Sequence, residues 1–197
     1  PDGGVRKLGI PTVVDRVIQQ GIAQKLQNIW EPLFSDSSYG YRPRRSGQQA
    51  IQKVKEYAEE GYRYAVSVDL SKYFDTLNHE LLMNLLHRKI QDMRVLRIIK
   101  KYLKSGVMEN GVVSKTEEGS PQGGPLSPLL ANIYLNEFDW EMCGRGVKMV
   151  RYADDIVVFA KSKRAAERLL EFSRKYLEGK LKLKMNTEKS KVTSIFA

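Results

Sequence analysis

The sequence predicts an α+β fold, and three observations carry that prediction. Several long stretches repeat apolar side chains at the helical period, short β-branched stretches lie between them, and no Gly-, Ser- or Pro-rich linker divides the chain. At 197 residues, 42% of them hydrophobic, the chain is long enough for one domain with a real core or for two closely packed lobes, since domains commonly run about 100–200 residues. One compact unit is expected.

Thr12 caps a predicted helix whose apolar positions Val14, Val17, Ile18, Ile22, Leu26 and Ile29 keep the helical period until Pro32 stops it. The polar stretch S-D-S-S-Y-G-Y-R-P-R-R-S-G reads as a loop, and Ala50, Ile51, Val54, Tyr57 and Ala58 mark a second helix that ends at Gly61. Tyr64 to Asp69 alternates like a short strand. Asn78 caps a helix with Leu81, Leu82, Leu85 and Leu86 on one side, and Asp92 caps another that runs through Leu103 and closes at Gly106. Val107 to Ser114 carries Asn110-Gly111 at its middle, a strong hairpin signal. Ser127-Pro128 starts a helix through Leu129 to Glu141. Two strands follow, Val147 to Tyr152 and Ile156 to Ala160, then a helix from Ser162 and closing strands over Leu181 to Met185 and Val192 to Phe196.

Composition narrows the classes. No apolar run approaches the roughly 18 residues of a membrane span, and no signal peptide opens the chain, so a soluble protein with no membrane partner is expected. The single Cys143 excludes an internal disulfide, and His79 and His87 beside it are too few for a structural zinc site, which points to a reducing, cytoplasmic setting. Because residue 1 is Pro, the chain reads as cut from something longer. The formal net charge is +10, and it is unevenly spread. Basic against acidic side chains number 9 to 7 in residues 1–61, 9 to 5 in 62–110, 4 to 7 in 111–160 and 11 to 4 in 161–197. An acidic island between basic flanks suits a cation-binding centre surrounded by surface that holds a phosphate backbone.

The chemistry centres on G-V-K-M-V-R-Y-A-D-D-I-V-V-F-A-K. Asp154 and Asp155 sit together inside an apolar, β-branched stretch. A pair of aspartates in a turn ordinarily just faces water. Here Ile156 to Phe159 follow at once, so the pair is anchored to a buried strand, and two adjacent anions near a core need a compensating cation. Mg²⁺, a hard ion commonly held by one or two carboxylates plus substrate phosphates, is the natural candidate. The strand Y-A-V-S-V-D delivers Asp69 at its own end, so three carboxylates meet at one sheet edge if the two strands are adjacent. Two ions about 3.5–4 Å apart, bridged by such carboxylates, activate a sugar hydroxyl and stabilise leaving pyrophosphate.

Six ordered blocks, R-K-L-G-I-P-T-V-V-D-R-V-I-Q-Q, S-Y-G-Y-R-P-R-R-S, V-D-L-S-K-Y-F-D-T-L-N-H, G-S-P-Q-G-G-P-L-S-P-L-L-A-N-I-Y-L, Y-A-D-D and N-T-E-K-S-K, cover nearly the whole chain. In their order and content the chain resembles the reverse transcriptases encoded by group II introns, whose proteins also act as splicing maturases. The resemblance implies the fingers and palm of a right-hand polymerase, the palm a small antiparallel sheet backed by helices. Residues 1–64 and 87–118 would be fingers-like, and 65–86 and 119–197 palm-like. No room remains within the 197 residues for a thumb, DNA-binding or endonuclease domain, so this stretch by itself is expected to extend primers poorly.

Carried over, the resemblance makes Asp69 and Asp154 the principal ligands of two Mg²⁺ ions, with Asp155 in a weaker or supporting role. The Leu70 backbone would face metal and triphosphate. Phe74 matches the bulky residue placed against the sugar 2′ position; the alternative is a core aromatic. Gln122, in a block whose glycines and prolines let backbone approach a ligand, would lie near the nucleotide; otherwise the block is a connector before a helix. Arg6 matches an arginine that grips the triphosphate, and Lys189 a lysine that protonates the leaving group or is simply exposed. Arg16 and Arg42 fall to structural or template contacts.

Two basic faces stand apart from the resemblance. Arg94, Arg97, Lys101 and Lys104 line one side of their helix opposite Val95, Ile98, Ile99 and Tyr102. Lys180, Lys182 and Lys184 alternate with Leu181, Leu183 and Met185. Each is either a solvated face or a surface for intron RNA or a template–primer duplex, whose A-form geometry favours backbone and 2′-hydroxyl contacts. The partners implied are intron RNA, an RNA template with a DNA primer, and deoxynucleoside triphosphates, in a bacterial cytoplasm; a homodimer stays open. The competing readings are a noncatalytic RNA-binding maturase scaffold, and the reverse transcriptase of a retron or diversity-generating element. The helical insertion between Asn78 and Gly106 favours the intron-encoded group.

Overall fold

In a computed structural model, which describes residues 10–105, 107–109, 112–114, 119 and 123–196, the helix signals fall where the sequence places them. Helix α1 spans Val13–Trp30, with the Thr12 hydroxyl accepting from the Asp15 N–H. Helix α2 spans Gly47–Glu59 behind a Ser46/Gln49 capping box. Asn78 and Asp92 cap α3 (His79–His87) and α4 (Met93–Lys104) through their side chains. Helix α5 covers Ser127–Gly144 with Pro128 in its first turn, and Ser162 caps α6, Lys163–Gly179. No helix among the described residues is long and apolar enough to cross a membrane.

Four strands form an antiparallel sheet in the order β4-β5-β1-β6, with β1 Tyr64–Val68, β4 Met149–Tyr152, β5 Asp155–Ala160 and β6 Lys191–Ser194. A separate hairpin pairs β2 (Val107–Glu109) with β3 (Val112–Ser114); the expected turn residues Asn110 and Gly111, and Gly106, lie outside the described residues. Because side chains alternate along a strand, the pairs Val66–Val158 and Val68–Ile156 point to one face, where they join Leu130, Tyr134, Phe138, Ala166 and Leu177 in the main core. Fully burying each such Val or Ile contributes roughly 1.5–3 kcal/mol. Ala65 and Phe159 point to the other face, against Tyr39, Ala50, Val54 and Tyr57 from the loop before α2 and from α2 itself.

Four expectations need correction. On α1 the buried side chains are Gln19, Leu26 and Trp30, whereas Val14, Val17, Ile18 and Ile29 are exposed, because α5 meets a different stripe of the helix. On α4 the buried line is Leu96, Ile99 and Leu103, one step round from the expected face, and Ile98 is exposed. Val147 is not in a strand: its N–H caps α5 by donating to the Met142 carbonyl. Leu181 to Met185 is not a strand either. Lys182 has φ +56°, the Leu183 N–H donates to the Leu177 carbonyl of α6, and only Met185 bridges, to Leu70. The burial alternation survives, with Leu181, Leu183 and Met185 inside and the three lysines outside.

Candidate active site

The β1–β5 register ends at Val68 opposite Ile156. Continued by one step, that register would bring Asp69 opposite Asp155, which is itself paired with Tyr152 on β4. Ala153 and Asp154 make the two-residue connection. Ala153 carries φ +58° and Asp154 does not have a positive φ, the sign pattern of a type II′ hairpin turn. A positive φ costs an alanine about 1 kcal/mol or more, so the surroundings must hold this turn in place.

Asp69 and Asp154 are half-buried, and Asp155 reaches solvent. The Asp155 carboxyl is nevertheless pushed up from the ordinary aspartate value, first by partial burial, then by the charges of Asp154 and Asp69. Asp155 therefore lies within electrostatic range of both other carboxylates. Among the described residues none of them is ion-paired with a Lys or Arg. Nor, among the described residues, are three acidic, His or Cys side chains drawn tightly enough together to form a ready metal cage. Mutually repelling, un-neutralised hard oxygen donors from two neighbouring strands fit a hard divalent cation, which would draw them inward.

The Asp69 backbone is clamped from the C-terminal side. Its N–H donates to Ser190 Oγ at 3.0 Å, and its carbonyl accepts from the Asn186 N–H at 2.8 Å. Asn186 Oδ1 in turn accepts from the Glu188 and Lys189 N–H groups, so N-T-E-K-S is a turn built onto Asp69, with Lys189 exposed on it. The bonds flanking the Leu70–Met185 bridge are carried by Asp69 and by Ser71, whose N–H donates to the Lys184 carbonyl at 2.9 Å. The alternation of the backbone turns Leu70's own N–H and C=O to the opposite side, while its side chain is buried. Lys180, Lys182 and Lys184 are exposed along this same segment.

Phe74 is half-buried, packs against the core and lies 5.3 Å, ring to ring, from Tyr73. The Tyr73 hydroxyl donates to the Ala131 carbonyl at 2.6 Å, and burial raises its pKa well above the usual tyrosine value. Gly119, at φ +91°, donates its N–H to the Leu77 carbonyl, and its carbonyl bonds His79 Nε2. His79 is thus a buried anchor of the glycine-rich block. Gln122 in that block and Arg6 lie outside the described residues. Arg42 is structural: it pairs with Glu31 at 2.8 Å and donates to the Ser35 and Ser38 carbonyls. Arg94, Arg97, Lys101 and Lys104 are all exposed on α4, but Arg94 is engaged by Asp92, whose carboxyl it holds down at about 2, chiefly through their side-chain hydrogen bonds.

Sequence reasoning missed Arg151. It is fully buried beside the aspartate turn and ion-paired with Asp139 at 2.7 Å, both side chains having no exposed surface. A signal existed: a lone arginine in the apolar M-V-R-Y, and an aspartate on α5, a helix apolar nearly all round.

Comparison with known proteins agrees with this geometry. The family described as reverse transcriptase (RNA-dependent DNA polymerase) matches residues 1–195. The protein YkfC of Escherichia coli is 36% identical across 98% of this chain and 61% of its own length. The group II intron-encoded protein LtrA of Lactococcus lactis is 46% identical across 68% of this chain and 22% of its own length. The chain thus spans less than two thirds of these relatives. A structure of telomerase from Candida albicans in complex with a telomeric RNA fragment superposes with a TM-score of 0.68 over 92% of this chain and 35% of that one; at 14% identity this speaks for the fold alone. With the sheet order, the carboxylates at its end and nearly every residue matched by one family, the chain belongs to the reverse transcriptases and resembles their group II intron-encoded members.

Proposed function

We propose that this chain is the polymerising core of an RNA-directed DNA polymerase from a group II intron-encoded protein that also binds its intron RNA for splicing and mobility, in a bacterial cytoplasm. The observation that supports it most is the placement of Asp69, Asp154 and Asp155 at one end of the β1–β5–β4 sheet, with Asp155 feeling the charge of both others. Asp69 and Asp154 hold the cation, and Asp155 supports them. A pair of bound Mg²⁺ ions would supply a deprotonated primer 3′-hydroxyl and charge neutralisation on the departing pyrophosphate.

The remaining roles belong to the chain. The Leu70 carbonyl and amide, turned away from Met185, face the metal and triphosphate side. Phe74 excludes a 2′-hydroxyl, Gln122 and Arg6 contact the deoxynucleoside triphosphate, and Lys189 gives its proton to the leaving pyrophosphate. Lys180, Lys182 and Lys184 beside the site, and Arg97, Lys101 and Lys104 on α4, hold phosphates of a template–primer duplex or of intron RNA, with Arg94 at the margin. Residues 65–86 and 119–197 form the palm, 1–64 and 87–118 the fingers.

Primer extension on an RNA template by the intact protein, beside its Asp154→Asn variant, tests the reading. A loss of about a hundred- to a thousandfold, the scale on which preorganised electrostatic stabilisation operates, is expected. Equal extension by the two proteins rejects polymerisation at this site, and no extension by either leaves the noncatalytic RNA-binding scaffold.

A further inference from the structure

Every donor of the Arg151 guanidinium is used, and most of the partners belong to the walls around the aspartate turn. Nε donates to both Asp139 carboxylate oxygens at 2.9 and 3.0 Å, and Nη2 to Asp139 Oδ2 at 2.7 Å and Ser38 Oγ at 2.8 Å. Nη1 donates to Asn132 Oδ1 at 2.9 Å and to the Ala153 carbonyl at 2.8 Å. That carbonyl belongs to the peptide bond that leads into Asp154. Asn132 closes a ring: its amide Nδ2 donates to the Gly40 carbonyl at 2.8 Å, and Gly40 lies directly against the Tyr152–Ala153 peptide. The main chain joins in, with the Arg151 N–H donating to the Ser37 carbonyl and the Tyr39 N–H to the Arg151 carbonyl, both at 2.8 Å.

A buried arginine is expensive to desolvate, and an apolar residue of similar volume would fill a core at least as stably. Stability alone therefore does not account for a guanidinium here. Its planar fork does what no apolar side chain does: it fixes one backbone carbonyl against helix α5 and the loop at Ser38 in a set direction. The peptide it fixes sits in a turn whose Ala153 is held at positive φ, a conformation that persists only when its surroundings over-determine it.

We propose that Arg151, with Asp139, Asn132 and Ser38, is a positioning device for the Asp154–Asp155 turn that sets how tightly the carboxylates hold a divalent cation. The proposal rests on the carboxylate reading above. Arg151 touches no reacting atom; it acts through the Ala153 carbonyl. Partners that orient ligands in this way typically carry about 10–100-fold in metal affinity.

The test is Mn²⁺ binding to the intact protein, followed by the electron paramagnetic resonance of free Mn²⁺, with the component that Asp154→Asn abolishes taken as the site's own. Folded fraction is read by circular dichroism for each protein. Arg151→Lys keeps the charge and loses the fork. Asn132→Ala keeps the Arg151–Asp139 pair, so it tests the ring even where the arginine variant folds poorly. Both variants are expected to weaken that component at least tenfold per folded molecule and to raise by a similar factor the Mg²⁺ concentration that half-saturates extension. An unchanged Mn²⁺ affinity in folded Asn132→Ala overturns the proposal while leaving the carboxylate site standing. Mn²⁺ binding and extension that survive Asp154→Asn overturn the site reading itself.

Discussion

Gly40 and Ala153 meet backbone to backbone: a Cβ built on Gly40 would come within 2.2 Å of the Ala153 nitrogen and 2.9 Å of the Tyr152 carbonyl carbon. No side chain stands between them to yield, so any larger residue must push the aspartate turn itself. Overpacking of this kind costs roughly 1–3 kcal/mol. Displacing a reacting group by about 1 Å can cost 100-fold in rate. Gly40→Ala is therefore expected to lower the melting temperature by a few degrees and primer extension by about 100-fold. Extension at the level of the unsubstituted protein would mean the turn moves freely, against the packing found here.

The repulsion around Asp155 has a consequence for pH. Its native pKa is raised by partial burial and by Asp154 and Asp69, above the ordinary value of 3.8. Between the unfolded and the native value the folded state binds more protons, so stability falls as pH rises through that window and the deficit persists at neutral pH. In chelator-treated protein Asp155→Asn is expected to melt at a higher temperature than its parent and to lose that part of the acid-side slope. Added Mg²⁺ should narrow the gap by stabilising the parent more than the variant, which keeps Asp69 and Asp154 but loses the supporting carboxylate. Thermal melts across the acidic range with and without Mg²⁺ check this; coincident curves for the two proteins refute it.

Phe74 is half-buried and braced by Tyr73, which suits a side chain that offers one edge to a ligand while the other packs. Phe74→Ala is expected to raise ribonucleotide incorporation relative to deoxyribonucleotide, and to destabilise by less than the roughly 3–5 kcal/mol of a fully buried Phe→Ala. Single-nucleotide extension with matched ribo- and deoxyribonucleotides measures the ratio. An unchanged ratio removes Phe74 from sugar selection and makes it a core aromatic.

Local signals were the legible ones. Thr12, Asn78, Asp92 and Ser162 each cap the helix that the sequence assigns to them, because a cap is a hydrogen bond across three residues or fewer and needs nothing from the rest of the chain. Asp69 and the Asp154–Asp155 pair were legible as chemistry for a related reason, since carboxylates beside β-branched strands conflict with their neighbours unless something else resolves the conflict.

What alternation could not say is which hydrogen-bond partner a segment finds. Leu181, Leu183 and Met185 are buried in the expected order, yet the segment bonds to the end of α6 and to Ser71 and forms no strand. Likewise the apolar period of α1 predicts a helix correctly, while Val14 and Val17 are exposed because α5 meets another stripe.

By itself the sequence determined the helices, the caps at Thr12, Asn78, Asp92 and Ser162, the acidic residues and, through six ordered blocks, the family. Only the tertiary structure decided that β1 pairs with β5, which brings Asp69 to the end of the sheet that carries Asp154 and Asp155, and that Arg151 reaches Asp139, Asn132, Ser38 and the Ala153 carbonyl at once. The reason is physical: a cap or a period is an interaction between near neighbours, whereas the cost of a buried charge is settled by groups that the packing of α5, β4 and the Ser38 loop brings together from distant parts of the chain.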